Sequence, residues 1–256
     1  MKASIVIANY NNAKYINDCI HSLNSQTYKN IEIIFFDDNS KDNSIEIISN
    51  FKNVTIIKNT VQTDFGSLNQ INAFKKAVEQ SSGDIIFFLD SDDYFHKDKI
   101  KNIIEKFSED ENKMIIFDYP IILQKKNKVI QKEVKNIFKT YWGYIHPTSC
   151  ISIRKKIFQK VIDTTSDDNF KNIWLDFRIL IFSKYLLDYN VINENLTYYR
   201  QIEGSVSSRF KKYSKNWWSR RNEAHDYYFN FMRKNNLETK KNLDFYITKT
   251  INKFIK

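Results

Sequence analysis

Apolar residues in the first hundred positions fall into short unbroken runs, alternating with stretches where they recur every three or four residues. Ser4-Ile5-Val6-Ile7-Ala8 is the first run, and it stops at Asn9, Asn11 and Asn12. From Ala13 the apolar positions are Tyr15, Ile16, Cys19, Ile20 and Leu23, the spacing of one helix face. Ile31 to Phe36 predicts a second strand ending in Asp37-Asp38-Asn39-Ser40, with Ser40 placed to cap a helix carrying Ile45, Ile47, Ile48 and Phe51. Val54 to Ile57 predicts a third strand, and Gly66 opens a helix through Ile71, Phe74 and Val78. Gly83-Asp84 then turns the chain into Ile85-Ile86-Phe87-Phe88-Leu89. That run is too short for a helix and rich in β-branched and aromatic residues, so it reads as a buried parallel strand. Strand–helix alternation of this kind predicts an α/β fold with a parallel sheet and right-handed crossovers.

Two of these strands, the second and the fourth, end in acid on the same edge of the sheet. The fourth delivers Asp90-Ser91-Asp92-Asp93, at the edge where open α/β sheets bind their ligands. Carboxylates packed so closely raise one another's pKa unless a positive charge sits among them. A hard divalent cation holding a diphosphate would supply that charge. The alternative is a solvated acidic turn capping the next helix, expected near Lys97 to Phe107.

Four pieces of this region, in order, resemble the family 2 glycosyltransferases of the GT-A fold. They are Ser4 to Asn11, Ser22-Leu23-Asn24-Ser25-Gln26-Thr27, Glu32 to Ser40, and Gly83 to Asp93. The match is collinear through about residue 100 and looser beyond it; the order of the motifs makes it specific. The resemblance implies a GT-A-like sheet, mostly parallel and mixed on the acceptor side, and metal-dependent inverting transfer from a nucleoside diphosphate sugar, a UDP-sugar. It places Ala8, Tyr10, Asp38, Asn72, Asp90, Ser91 and Arg200 at the donor. Asp38 would accept from the ring NH of a uracil- or thymine-type base, and Asp90 would contact the ribose. Asp92 would bind the Mg²⁺ or Mn²⁺ that bridges the diphosphate, neutralising charge that grows as the glycosidic bond breaks. Asp93 is left between ligand contact and capping the following helix. Asp37 is expected to satisfy backbone NH groups of its turn instead of touching donor. Where many relatives carry an arginine just before the asparagine of the third helix, this chain has Ile71 before Asn72.

The second half must supply the acceptor site and a base to take the proton from the attacking hydroxyl. Asp163, Asp167, Asp168, Asp176 and Asp188 are the candidates. Asp176, alone at the start of the apolar helix Trp174 to Leu187, stands where the family places its base; Asp168 is the second choice. Alternatively Asp176 pairs with Arg178 or caps that helix. Trp142 is a candidate platform for a sugar ring and His146 a candidate donor to a sugar hydroxyl, both with structural packing as the alternative. Leu196-Thr197-Tyr198-Tyr199-Arg200 resembles the family's Tyr-Arg signature, with Arg200 reaching the diphosphate or pairing with Glu194 or Glu203. The histidine that often follows it to complete the metal site is absent, leaving Glu203 or donor and water oxygens to fill the shell.

Composition removes other classes. Four glycines in 256 residues leave no room for a Gly-rich dinucleotide or P-loop, and two cysteines, Cys19 and Cys150, fit a reducing compartment. A sugar-nucleotide nucleotidyltransferase would need a Gly-rich, Arg-containing first loop where this chain has Asn9-Tyr10-Asn11-Asn12. The first residues lack an apolar h-region and no stretch is long enough to span a bilayer, so a cytosolic location, free or peripheral on a membrane, is expected. The net charge is +10, and Ser207 to Lys256 carries 13 Lys or Arg against 4 Asp or Glu. The expected division is a catalytic domain over 1–206, with a donor half at 1–100 and an acceptor half at 101–206. A basic, aromatic helical extension would follow over 207–256. This tail suits packing on the catalytic domain, an anionic membrane surface near a lipid-linked or other saccharide acceptor, or nucleic acid, the last being least expected. A non-catalytic binding module built on the tail alone would leave both acidic strand ends without a purpose.

Overall fold

A computed structural model of the chain describes residues 1–124, 127–130, 140–202 and 210–255. Glu203 and the boundary expected at 206–207 lie outside the described residues. The strands are β1 (Ala3–Asn9), β2 (Ile31–Asp37), β3 (Val54–Lys58), β4 (Ile85–Asp90), β5 (Tyr94–Phe95), β6 (Ile115–Gln124), β7 (Asn127–Ile130), β8 (Ile151–Arg154) and β9 (Asn190–Arg200). They form one sheet in the order β3-β2-β1-β4-β8-β6-β9-β5, with β7 on β6. β1 to β4 are parallel, β8 runs against both β4 and β6, and β9 lies parallel to β6. The sheet is therefore parallel over β1 to β4 and mixed beyond, where β5 also runs antiparallel to β9, as expected.

The side-chain period of two distributes the strand residues between two cores. Ile5, Ile7, Ile33, Phe35, Ile85, Phe87 and Leu89 face one side, where α1 (Ala13–Asn24), α2 (Ser44–Ile48) and α4 (Lys99–Glu109) cover them. Val6, Ile34, Phe36, Ile86 and Phe88 face the other, under α3 (Gly66–Glu79), α5 (Lys155–Thr165), α6 (Leu175–Leu186) and α7 (Lys215–Lys234). Both faces are buried, which is why these strands read as continuous apolar runs. Gly83 is required just before β4: a Cβ there would lie 2.4 Å from Ser4 Oγ and 2.8 Å from its backbone nitrogen.

Two local expectations need correction. The helix after β2 spans only Ser44–Ile48, and Asn43 stands at its N-cap position. Ser40 instead donates to Asp37 (2.6 Å) and accepts from the Asn11 backbone NH (2.9 Å), tying the turns after β1 and β2 together. In those turns Asn11 (φ 53°) and Asn39 (φ 57°) take the left-handed conformation that asparagine tolerates better than most residues.

Of the readings left open for the tail, packing on the rest of the fold is the one seen for α7. Tyr227, Tyr228, Phe231 and Met232 of α7 are buried in the same core as Phe177 and Leu180 of α6. Each large apolar side chain buried this way contributes about 1.5–3 kcal/mol. Together they rival the whole net stability of a domain, about 5–15 kcal/mol. Beyond it, α8 (Leu243–Phe254) packs on α7.

Candidate active site

The chain steps outward from β1 to β2 and β3, then returns to lay β4 on the other side of β1. A crevice opens outside the carboxyl ends of strands at such a reversal. Pairing of Ala8 with both Phe36 and Asp90, and of Asn9 with Asp37, brings the two acidic strand ends level there. Ala8 itself is half-buried, its carbonyl accepting from the Ser91 NH at 3.0 Å, while Tyr10 stands exposed at the rim.

The acidic residues divide by their partners. Asp37 accepts from Asn9 Nδ2 (2.7 Å), Ser40 Oγ (2.6 Å) and the Ser40 NH (3.0 Å), so it serves the turn. Asp38 is held by Asn59 Nδ2 (2.7 Å) on one oxygen and Gln62 Nε2 (2.8 Å) on the other. Each oxygen keeps a second lone pair. Ser91 Oγ accepts from Asn12 Nδ2 at 3.1 Å. Asp90 accepts from Gln70 Nε2 at 3.0 Å, whereas Asn72, two positions along α3, is half-buried with its side chain making no hydrogen bond to a described residue. Ile71, at the position where relatives carry arginine, packs against the core.

Asp93 neither caps α4, whose N-cap residue is Asp98, nor stays free for a ligand. Fully buried, it accepts from Ser149 Oγ (2.6 Å) and the Arg200 NH (2.9 Å), tying the end of β4 to that of β9. Ser149 also accepts from the Asp90 NH at 3.1 Å, and its carbonyl receives Lys99 Nζ at 2.6 Å. Lys99 is wholly buried against Asp118 (2.9 Å) and Thr197 Oγ1 (2.5 Å). A buried ion pair thus underlies the acidic turn.

Burial, and then repulsion by Asp92, pushes the Asp90 pKa up to about 8; the Gln70 hydrogen bond opposes this, and the charge of Asp176 adds to it. Burial likewise raises Asp92 and Asp93, with Asp92 and Asp90 adding to the shift of Asp93. The carboxylates crowd together with too little positive charge among them. Among the described residues, no side chain donates to the Asp92 carboxylate, although its backbone carbonyl accepts from Arg200 Nη1 at 2.6 Å. Nor do three His, Cys, Asp or Glu side chains form a closed metal cage among them. Asp92, whose carboxylate takes no side-chain donor, would be the protein ligand of a Mg²⁺ or Mn²⁺ that draws its other ligands from phosphate and water.

Arg200 pairs with Asp18 (2.5 Å) instead of Glu194, which accepts from Asn102. Its guanidinium lies between the rings of Tyr15 (5.0 Å) and Tyr94 (4.8 Å). Asp176 is half-buried in the first turn of α6, where the helix dipole favours a carboxylate. Burial raises its pKa, while Arg220 of α7 and the Phe177 NH (2.6 Å) pull it back. It does not pair with Arg178, whose buried guanidinium donates to the carbonyls of Thr165, Phe170 and Ile173. Asp168 is exposed on the loop before α6, and its neighbour Asp167 pairs with Lys234.

The two acceptor-side expectations are corrected. Both ring nitrogens of His146 are committed inside the fold, Nδ1 to the Asp118 carbonyl (2.7 Å) and Nε2 to Tyr189 Oη (2.9 Å). Burial pulls its pKa down to about 4 in spite of Asp118. Trp142 is buried between Phe177 of α6 and His225 of α7, a core residue with no face free for a sugar. Gln70, Ser149, Asp18 and Arg220 escaped the sequence reading. Gln70 stood next to the position inspected, but the others reach the site only through long-range contacts.

Residues 4–180 match the family described as Glycosyl transferase family 2. A UDP-Glc:alpha-D-GlcNAc-diphosphoundecaprenol beta-1,3-glucosyltransferase, WfaP of Escherichia coli, is 34% identical over 82% of this chain and 81% of its own length. An uncharacterized glycosyltransferase of Nostoc sp. is 30% identical over 78% of this chain, which spans 65% of that relative. Among solved structures, Staphylococcus aureus TarS 1-349 in complex with UDP superposes with a TM-score of 0.66 at 16% identity, covering all of this chain and 70% of that one. The fold is thus GT-A-like, and the chain belongs to glycosyltransferase family 2.

Proposed function

We propose that this glycosyltransferase moves a sugar, with inversion, from a UDP-sugar to a saccharide acceptor on a lipid carrier during surface glycan assembly. The observation that carries the reading is the crowded acidic edge of β4, where the free carboxylate of Asp92 adjoins Asp90 and the charge of Asp176 is felt. Asp38, held open by Asn59 and Gln62, would take the ring NH of the base, and Asp90 the ribose. Asp92 would hold Mg²⁺ or Mn²⁺, which when bound offsets the charge of the departing diphosphate. Arg200 would add a cation once the exposed Asp18 releases it. Asp176 would accept the proton from the acceptor hydroxyl as that oxygen attacks the anomeric carbon. The names of the relatives support the donor and carrier: WfaP names UDP-Glc and a diphosphoundecaprenol acceptor, and TarS has been solved with UDP-GlcNAc. Among the described residues no helix is long and apolar enough to cross a membrane.

Hydrolysis of a panel of sugar nucleotides in Mn²⁺ tests this. Uridine or thymidine diphosphate sugars should be consumed, because Asp38 accepts from their base. Preferential turnover of GDP- or ADP-sugars would overturn the donor assignment.

A further inference from the structure

The basic, aromatic tail does not present one uniform surface. Arg221 is turned inward to Asp244, and Arg220 lies over Phe210, its charge reaching Asp176. Tyr227, Tyr228 and Phe231 are core residues. Beyond α7, α8 has two distinct faces. Its inner face is Asp244, Phe245, Thr248 and Asn252: Asp244 and Thr248 are buried, Phe245 packs edge-on against His225, and Asn252 donates to the Trp218 carbonyl of α7 at 3.0 Å.

The outer face inverts the usual pattern. At 3.6 residues per turn, Leu243, Tyr246, Thr250 and Phe254 fall within an arc of about 80°. Leu243 is 73%, Tyr246 56% and Phe254 84% exposed. A surface helix normally turns its apolar stripe to the core and its polar face to water, so three large apolar residues aligned outward need an occupant. Charge indicates which. Lys240, Lys241 and Lys253 are exposed beside the stripe, the Lys241 ammonium lying over the Phe245 ring at 5.0 Å. Lys253 lines a groove between α8 and α7 together with Lys215, and Lys211, Lys212 and the exposed Tyr213 lie just before α7. Asp244, the acidic residue of α8, is neutralised inside by Arg221. An apolar stripe bordered by lysines matches the boundary between headgroups and acyl chains of an anionic bilayer.

We propose that α8 docks the protein on an anionic membrane surface, with Leu243, Tyr246 and Phe254 entering the interface and Lys240, Lys241 and Lys253 meeting the lipid headgroups. The inference stands on α8 and the lysines beside it and does not depend on the transfer reaction proposed above.

The test is co-sedimentation of the full chain with phosphatidylcholine vesicles, with and without phosphatidylglycerol as about a third of the lipid. Partition onto the anionic vesicles should be about tenfold or more stronger than onto neutral ones and should weaken as salt rises. Leu243→Ser with Phe254→Ser, and separately Lys240→Glu with Lys241→Glu and Lys253→Glu, should each reduce it by about tenfold or more. Both variants should bind UDP like the wild type, since none of these residues belongs to the donor site. Equal binding to neutral and anionic vesicles, or an unchanged Leu243→Ser/Phe254→Ser variant, would overturn the proposal. So would failure to bind vesicles combined with self-association that this variant abolishes, because α8 would then join two copies of the chain.

Discussion

Asp176→Asn is expected to cut turnover by a factor of about 10² to 10⁴ while leaving UDP binding intact. The side chain sits in the first turn of α6, and its Oδ1 already accepts from the Phe177 NH at 2.6 Å. Asparagine keeps the shape and that hydrogen bond, and loses the capacity to accept a proton. It also removes a negative charge whose repulsion reaches Asp90, so donor affinity should hold or rise slightly. Asp168→Asn should be mild, because that residue is exposed on the loop. Steady-state transfer kinetics beside UDP calorimetry separate the outcomes. A severe Asp168→Asn defect with a mild Asp176→Asn one would move the role of base. Loss of UDP binding in Asp176→Asn would make that residue structural.

Lys99→Met should destabilise the fold by about 3–5 kcal/mol, because it strands the buried carboxylate of Asp118 without its cation. The lysine makes three polar contacts at once, to Asp118, Thr197 Oγ1 and the Ser149 carbonyl, in a site with no exposed surface. Replacing both charges, Lys99→Met with Asp118→Leu, should recover most of the loss, since a buried pair exchanged for apolar residues of similar volume is often close to neutral. Urea unfolding midpoints of the two variants decide this. A double variant as unstable as the single one would show that packing, not an unpaired charge, sets the cost. Because Ser149 also holds Asp90 and Asp93, the single variant should loosen the acidic turn as well.

What could be read from the sequence was local. Strands buried on both faces appear as apolar runs, and the acids follow them directly, so β1 to β4 and their carboxyl edge stood out in Ile5 to Ala8, Ile31 to Asp38 and Ile85 to Asp93. The helix after β2 was overextended because Phe51 continued an apolar spacing that the backbone abandons after Ile48. Contacts between distant segments left no such trace. Nothing near Ser149 announces that it joins β4 to Lys99, and nothing in a basic tail announces that the charge of Arg220 reaches Asp176. Trp142 and His146 were open to either reading because an aromatic platform and a core aromatic have the same composition. The fate of Trp142 was decided by α6 and α7, and that of His146 by β6 and Tyr189, none of whose approaches a local pattern encodes. The tail's bulk charge likewise concealed a difference between Arg220 and Arg221, which pack inward, and exposed lysines such as Lys240 and Lys253.

The central claim, that the β4 edge binds a nucleoside diphosphate with the help of a divalent cation, is tested most directly by calorimetric titration of UDP into the full chain. Wild-type protein and Asp92→Asn would be compared in Mn²⁺ and in EDTA. The expected result is wild-type binding in Mn²⁺ that weakens by about tenfold or more in EDTA, with Asp92→Asn weak in both conditions. Equal UDP affinity with and without the metal, unaffected by Asp92→Asn, would contradict it.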